Sequence, residues 1–364
     1  MPDVVVFDVW PGSKIGKRSK IGKRKRIRLR RTVSVLSGCL KWWIVRTRVI
    51  QFRVLAVLQT VRQFFDSSEG IPVTHSLTQL FKQDHPAVSF ELFPPKTEKG
   101  EAALYRHVEK LMAFNPDFLT CTYGAGGSTQ GKTLEIVSEV KRRFDVPVAS
   151  HLTVVGSTVD QLRAYLKEAS EQSIDYIVAL RGDPPQGSET FEAVDGGLRY
   201  ANELVDLISA EYSDFGVLVA GYPEKHKEAP SMQADLDNLK RKVDAGSHVI
   251  VTQLFYDNDD FFRFRDQCAD AGISIPVVPG LLPVTNLDQV KRIASMCAAK
   301  LPKNFVDRLS QRDDKEWQYQ VGVEHAIEQT RGLLDAGIEG LHFYVLNRSD
   351  ATSEILGAVD LNRV

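Results

Sequence analysis

The sequence predicts an α/β protein of the (β/α)8 TIM-barrel class, preceded by a basic N-terminal extension. From residue 86 onward, eight short apolar segments alternate with eight segments of helical spacing. The apolar segments are continuously hydrophobic, as expected of parallel strands that are covered on both faces. No glycine fingerprint follows the first of them, which disfavours a doubly wound sheet as the alternative.

Each predicted strand is a short apolar run bounded by polar or turn-forming residues. The strands are expected at 88–93, 118–123, 147–153, 176–181, 216–222, 248–255, 275–281 and 340–346. The helices are expected at 100–114, 130–143, 158–172, 196–211, 231–245, 259–271, 286–299 and 322–336. Three of these helices end in Asp-Ala-Gly, where glycine is suited to the left-handed residue that follows a helix.

The charge of the chain divides it into two predicted regions. The formal net charge is −1, yet residues 1–72 hold sixteen Lys and Arg against four Asp and Glu. We expect residues 73–364 to form the catalytic barrel. The extension at 1–72 is expected either to be poorly ordered or to reflect a translation start assigned too far upstream. Its basic run at 14–31 leaves open a role in binding nucleic acid or an anionic surface.

The composition indicates a cytoplasmic protein without a membrane anchor. Arg46, Arg48 and Arg53 interrupt the apolar residues of the extension, so no run of about 20 apolar residues is available to span a bilayer. The four cysteines are widely spaced and form no metal-binding or disulfide pattern, which is typical of a reducing compartment.

If the strands form a barrel, their C-terminal ends meet at one mouth, where barrel proteins carry their reactive groups. Polar side chains stand at the ends of seven strands: Glu91, Thr122 and Tyr123, His151 and Thr153, Arg181 and Asp183, Tyr222, Gln253 and Tyr256, and Asn347 and Arg348. Seven such positions in register are difficult to explain by packing alone. We therefore predict a functional site at this mouth.

Two carboxylates are the candidate acid–base groups. Glu91 ends an apolar strand just before Pro94-Pro95, where a buried carboxylate is unfavourable unless it has a function; an ordinary ion pair is the alternative. Asp183 follows the fourth strand and would point into the same mouth, where two carboxylates in one apolar pocket acquire different pKa values. A turn residue that bonds its own backbone is the alternative for Asp183.

The segment 220–246 combines residue types suited to a nucleotide. Ser231 can cap a helix that presents Asp235, Asn238, Arg241 and Lys242 on one face, although a solvated polar face would look similar. The glycine-rich loop at 124–129 lacks the Gly-Lys-Ser/Thr of a phosphate loop and is a weak signal alone. No clustered metal ligands and no nucleophile elbow are present in the sequence, so neither metal-dependent nor serine-hydrolase chemistry is supported.

Nine motifs stand in order between residues 85 and 360: FELFPP at 90–95, TYGA at 122–125, HLT at 151–153, ALRGD at 179–183, YPE at 222–224, QADLDNLKRKVDAG at 233–246, TQLFYD at 252–257, PGLLP at 279–283 and HFYVLNR at 342–348. Together they resemble the methylenetetrahydrofolate reductases in their bacterial short form. The resemblance implies a flavoprotein barrel that uses FAD and NADH or NADPH to reduce 5,10-methylenetetrahydrofolate to 5-methyltetrahydrofolate, in one-carbon metabolism and methionine biosynthesis. It also implies a homo-oligomer.

The resemblance assigns roles to single positions. Glu91 matches the general acid, and an apolar setting from Phe90, Leu92 and Phe93 is expected to keep it protonated. Asp183 matches an aspartate beside flavin and substrate; the other substrate positions are Gln253, Gln289 and Arg348. The cofactor positions are Thr122, near the nicotinamide, and, for FAD, Tyr123, Ala125, His151, Arg181, Gly182, Asp183, Tyr200, Ala201, Tyr222, His226, Ala229, Asp235, Asn238, Arg241 and Lys242.

Two other functions stay open at this stage. One is another flavin-dependent barrel oxidoreductase, similar to proline dehydrogenase, which would not depend on folate. The other is the surface or nucleic-acid binder that the basic run would permit, although the resemblance implies a small-molecule substrate and neither nucleic acid nor membrane as a partner.

Overall fold

Nine parallel strand segments form one sheet in the computed structural model of the chain, which describes residues 73–123, 130–184 and 191–361. The segments are β1 (Ala87–Leu92), β2 (Phe118–Cys121), β3 (Val148–Thr153), β4 (Tyr176–Leu180), β5 (Gly216–Gly221), β6 (Val249–Thr252), β7 (Val277–Val278), β8 (Gly280–Leu281) and β9 (Gly340–Tyr344). The extension at 1–72 and the glycine-rich loop at 124–129 lie outside the described residues.

The sheet curls into a nearly closed barrel. Its order is β7-β6-β5-β4-β3-β2-β1-β9-β8, and β7 and β8 are separated only by Pro279. Proline has no N–H to offer a sheet, which divides the predicted strand 275–281 into two pieces. The first piece pairs with β6 and the second with β9, so this one segment links the two ends of the sheet. The predicted TIM-barrel class is confirmed.

Helices follow the strands as predicted, with three additions. The described residues form α1 (Val73–Leu80), α2 (Glu98–Leu111), α3 (Gln130–Phe144), α4 (Val159–Glu171), α5 (Ala201–Glu211), α6 (Met232–Asp244), α7 (Asn258–Asp270), α8 (Leu287–Cys297), α9 (Lys303–Leu309), α10 (Lys315–Asp335) and α11 (Asp350–Gly357), with a 3-10 turn at Met112–Phe114. The sequence did not predict α1, α9 and α11. It also started α10 seven residues late, because the capping signal of Asp314, whose side chain accepts the Trp317 N–H, was overlooked.

The described part of the barrel has two apolar layers that hold the strands in place. Strand residues such as Phe90 and Leu92 face outward and pack under the surrounding helices. Inside the barrel, the N-terminal half is filled by residues such as Tyr176 and Leu218, together with Leu77 from α1. The C-terminal half is therefore left for the polar side chains. None of the helices within the described ranges is both long and apolar enough to cross a bilayer.

Candidate active site

The inward-facing side chains change from apolar to polar along the strands. On β3, Ala149 faces the apolar interior, and His151 and Thr153 follow it at alternate positions. The neighbouring β2 shows the same change, from Phe118 to Thr120. Glu91, Thr122, His151, Thr153, Arg181 and Gln253 are all buried. The predicted mouth is thus built from the last inward positions of several strands.

Glu91 lies between two imidazoles in the middle of this mouth. Its side chain is 6 % exposed, and its Oε2 is 3.3 Å from Nε2 of His151 and 3.6 Å from Nε2 of His342. Burial by itself raises the pKa of Glu91, but the two imidazoles outweigh it and lower that pKa to about 2. The predicted apolar setting is therefore wrong: Phe90 and Leu92 point outward to the helices, and the neighbours of Glu91 are polar.

A cavity of about 20 Å³ adjoins this cluster inside the barrel. That is room for roughly one water molecule. Its lining joins the acid–base groups to apolar strand residues: Glu91, Thr120, His151, Val178, Leu180, Leu218, Val219, Ala220, Val251, Gln253, His342 and Tyr344. Gln253, predicted to hold substrate, is thus placed on the same cavity as Glu91.

His342 is the member of the Glu91 cluster that the sequence reasoning missed. It lies on β9, is 1 % exposed, and its Nδ1 is 2.8 Å from the hydroxyl of Ser89 on β1. The pairing of β1 with β9 sets Ser89 opposite His342 and places both on the inner face with Glu91. The available signal was a histidine at an inward position in the middle of an apolar strand, two residues before Tyr344.

Several buried polar atoms at this mouth make no hydrogen bond within the described ranges. They are the hydroxyls of Thr120, Thr122 and Thr153. An unsatisfied buried polar group is unfavourable, and such groups in a cleft often mark where a ligand or water binds. The mouth therefore has the hydrogen-bonding capacity that a bound polar molecule would use.

Asp183 stands apart from Glu91. Its side chain is 20 % exposed and its Oδ1 is 3.7 Å from Nζ of Lys227, a residue that sequence reasoning did not single out. Burial raises the pKa of Asp183, while Lys227 and Arg181 oppose that rise. Asp183 does not line the cavity beside Glu91, so the structure does not place the two carboxylates in one apolar pocket.

Gly182, just before Asp183, has to be glycine for two reasons. Its φ is +93°, a conformation that side chains disfavour. A Cβ at this position would also lie 2.4 Å from Cγ1 of Val155. The missing side chain thus lets the chain pass close to the end of β3 and carry Asp183 to the mouth.

A second, larger cleft of about 390 Å³ lies along α6. Seven of the predicted cofactor positions line it together with Asn202: Tyr200, Ala201, His226, Asp235, Asn238, Arg241 and Lys242. The prediction that the four polar residues of α6 share one face is therefore confirmed. Tyr200 is 48 % exposed, which leaves an aromatic ring available at the edge of the cleft.

Hydrogen bonds position the polar walls of this cleft. Ser231 caps α6 by accepting the Ala234 N–H, as predicted. Asp235 accepts the N–H of His226 at 2.7 Å, and Arg241 donates to Oδ1 of Asn238 at 2.6 Å. Lys242 is 6 % exposed and donates to the carbonyl of Ala220 on β5. Its ammonium is thus held beneath the cleft, 5.8 Å from the ring centroid of Tyr222.

Arg181 borders a neighbouring cleft of about 460 Å³, which it lines with Arg199 and Tyr200. The buried guanidinium donates to Glu228 at 3.1 Å and lies 4.7 Å from the ring centroid of Phe191. Tyr200 lines both clefts, so it connects the cofactor positions along α6 with Arg181.

The remaining predicted site residues within the described ranges line none of the three cavities described above. Tyr123, Tyr222 and Ala229 are buried near the mouth, and the Tyr222 ring lies edge-on to His226, with 4.7 Å between ring centroids. Ala125 lies outside the described residues. Gln289, in the first turn of α8, and Arg348, exposed after β9, line none of the three cavities above.

Comparisons with known proteins agree on one family. Residues 76–360 match the family model for methylenetetrahydrofolate reductase. The 5,10-methylenetetrahydrofolate reductase of Escherichia coli is 40 % identical over 295 residues, which is 80 % of this chain and 96 % of that protein. Methylenetetrahydrofolate reductase (NADH) 1 of Arabidopsis thaliana is 38 % identical over 306 residues, 80 % of this chain but 52 % of that longer protein.

A solved structure supports the fold separately. An uncharacterised protein from Clostridium thermocellum, described as binding two copies of 5-methyl-5,6,7,8-tetrahydrofolic acid, superposes with a TM-score of 0.52. It covers 77 % of this chain and 96 % of its own, at 14 % identity, so the likeness concerns the fold alone. The family model and the identities to curated relatives decide the family: the chain belongs to the methylenetetrahydrofolate reductases, which are oxidoreductases.

Proposed function

We propose that this protein reduces 5,10-methylenetetrahydrofolate to 5-methyltetrahydrofolate, with FAD as cofactor and NADH or NADPH as reductant. The observation that carries the proposal is the buried cluster of Glu91, His151 and His342 on one cavity with Gln253. The reaction needs a proton donor and a hydrogen-bonding partner for the substrate, and this cluster offers both. The family to which the chain belongs makes this chemistry the natural one for such a cluster.

The described residues fit a flavin dinucleotide. The cleft along α6 combines an exposed tyrosine, a carboxylate, an amide and two cations, which are the groups that a nucleotide with a diphosphate requires. We propose that Tyr200, Asp235, Asn238, Arg241 and Lys242 hold it there. The proposed border of the cofactor is formed by His226, Ala229, Tyr222, Ala201, Arg181 and Gly182, and its reacting end by Thr122, Tyr123, His151 and Asp183. When bound, FAD would take a hydride from the nicotinamide and give it to the folate in a second half-reaction.

Glu91 is the proposed general acid, acting through its neighbours. Because its pKa is lowered to about 2, the carboxyl is ionised at neutral pH. We infer that the proton passes from a facing Nε2 to Oε2 of Glu91. From there it would reach the substrate nitrogen that departs when the five-membered ring opens. Burial of the cluster excludes bulk water from this path.

Four polar side chains are proposed to hold the substrate. Gln253 accepts the N–H of Leu254 through Oε1, which leaves its amide N–H groups for the pterin. Asp183 would orient the substrate beside the flavin. Gln289 and Arg348 would bind the outer part, where the exposed guanidinium suits the carboxylates of the glutamate.

The setting of the reaction is proposed from the same family. We place the enzyme in the cytoplasm, in one-carbon metabolism and methionine biosynthesis, and expect it to form a homo-oligomer. We likewise propose that the chain divides into a catalytic barrel at 73–364 and an extension at 1–72 that catalysis does not need.

An anaerobic spectral titration tests the whole proposal. The purified protein should carry a flavin spectrum that bleaches when NADH or NADPH is added and returns when methylenetetrahydrofolate follows. A protein that takes up no FAD would contradict the assignment of the α6 cleft. A flavin that bleaches but ignores the folate would instead favour the other flavin-dependent barrel oxidoreductases.

A further inference from the structure

The chain reverses sharply just after β9, in a turn that carries Arg348. The N–H of Arg348 donates to the carbonyl of Val345 at 2.8 Å, and the two residues between them, Leu346 and Asn347, have φ of +47° and +54°. Two consecutive positive φ values are typical of a type I′ turn, which favours Asn and Gly. Leucine in that conformation is strained, so other contacts have to hold the turn.

Asn347 supplies such contacts by bonding the backbone of Phe93. Its Oδ1 accepts the N–H of Phe93 at 2.8 Å, and its Nδ2 donates to the Phe93 carbonyl at 2.6 Å. One amide side chain thus satisfies both polar groups of a residue that stands two positions after Glu91. The bonds join chain segments 254 residues apart.

Ser349, on the other side of Arg348, has an anchor of its own. It is fully buried, its N–H donates to Nδ1 of His107 at 3.2 Å, and its hydroxyl lies 2.9 Å from the same nitrogen. His107 is on α2, the helix that follows β1. Arg348 is therefore exposed between two residues that are both tied to the β1–α2 unit, which is the unit that carries Glu91.

We propose that Asn347 is a positioning residue that fixes Arg348 relative to Glu91, so that the folate is held by its carboxylate end while its ring end lies at the acid. The proposal rests on the proposed function. A substrate that spans the mouth has to reach both groups at once, and its binding then depends on the distance between them. The Asn347–Phe93 bonds continue the pairing of β1 with β9, whose last pair is Glu91 with Tyr344, beyond the ends of both strands.

The test compares Asn347→Gly with the parent holoenzyme. Glycine keeps the positive φ of the turn and removes both bonds to Phe93, so it separates turn shape from positioning. We expect the KM for methylenetetrahydrofolate to rise about tenfold, on the order of two ordinary hydrogen bonds, with kcat unchanged. Oxidation of NADH with an artificial electron acceptor should also be unchanged. Asn115→Gly is the matched control, because Asn115 is an exposed asparagine with φ +47° that precedes β2 at the opposite end of the barrel.

Two further measurements exclude a merely structural role. In an Arg348→Ala background the Asn347→Gly change should add little to the KM, because residues that act as a unit are not additive. The rise should also vanish for the tetrahydropteroate analogue that lacks the glutamate. Additive effects, an equal rise with that analogue, or a KM like that of the parent would overturn the proposal. A parent enzyme that does not reduce the folate at all would overturn the proposed function, and this inference with it.

Discussion

Glu91 combines two features that are rarely found in one carboxyl group: it is buried, and it is held ionised. Two imidazoles that face one oxygen produce this state. The proposed acid role requires Glu91 to keep an oxygen that can carry a proton, so replacing that oxygen by an amide nitrogen tests the role.

We expect Glu91→Gln to slow reduction of the folate by at least about 100-fold, since general acid catalysis typically contributes that much. Flavin content and oxidation of NADH should be preserved, because glutamine has nearly the same shape. Rapid mixing under anaerobic conditions separates the two half-reactions. Glu211→Gln, on the outer helix α5, is the control for a Glu-to-Gln change outside the mouth. A folate half-reaction at the parent rate would show that Glu91 is not the acid.

Sequence reasoning placed Glu91 and His151 at the mouth but missed His342. A carboxylate before a double proline at the end of an apolar strand is a local signal. His342 faces Glu91 only because β1 and β9, some 250 residues apart, are neighbours in the closed sheet. The register that sets Ser89 opposite His342 cannot be read from either strand alone. For this reason the predicted apolar setting of Glu91 was wrong although the residue was found.

The pKa of Glu224 is raised, whereas that of Glu91 is lowered. Its side chain, 5 % exposed, accepts the Lys300 N–H at 2.9 and 3.1 Å and joins the loop after β5 to the segment after α8. Burial raises its pKa from 4.5 to about 7, with a further rise from Asp260 and opposing effects of Lys300 and Arg263. The folded state therefore binds this proton more tightly than the unfolded state. Stability is lost as the pH rises from about 4.5 through about 7.

Replacement of Glu224 by Gln should remove this pH dependence. Relative to the parent, the variant should gain up to about 3 kcal/mol in the free energy of unfolding between pH 5 and pH 8, because one pKa unit corresponds to 1.36 kcal/mol. Urea unfolding at the two pH values measures the gain. A difference between variant and parent that is the same at both pH values would show that Glu224 is already ionised in the fold at pH 5.

At the scale of elements, α10 owes its position to one glycine. A Cβ on Gly322 would lie 1.8 Å from the backbone carbonyl oxygen of Val284, so the helix can pack against the chain after β8 only without a side chain there. The sequence predicted a helix across this position but not its close approach. Helix propensity is local, and the approach depends on the tertiary packing.

Gly322→Ala should therefore destabilise the protein by about 1–3 kcal/mol or more through overpacking, even though alanine is the better helix former. Gly131→Ala in α3 is the matched control, because a Cβ there would meet nothing within 4 Å. That change should be neutral or stabilising by up to about 1 kcal/mol. Thermal or urea unfolding of the two variants checks the pair, and equal effects would contradict the packing argument.

At the scale of the molecule, the interior of the barrel changes from apolar to polar along its axis. Apolar residues such as Tyr176 and Leu218 fill the N-terminal half, and the acid, the imidazoles and Gln253 occupy the C-terminal half. Strand positions were predictable because continuous apolar runs mark parallel strands. The closing of the N-terminal end was not predicted, because it depends on the short helix α1 and the residue that follows it: Leu77 in the helix and Phe81 just after it enter the apolar cluster inside the barrel.

The packing of Leu77 and Phe81 into the N-terminal end of the barrel predicts how far the chain can be shortened from its N-terminus. A protein that starts at residue 73 should keep its flavin, its melting temperature and its folate reduction, because α1 begins at Val73 and the basic run at 14–31 has no part in the proposed chemistry. One that starts at residue 82 loses the buried Leu77 and Phe81, each worth about 2–5 kcal/mol by comparison with other core truncations. It should unfold at a clearly lower temperature or fail to fold. Leu77→Ala in the full chain is the milder test of the same contact. If removal of 1–72 abolished activity while the shortened barrel stayed folded, the extension would have a catalytic or binding role and the proposed boundary would be wrong.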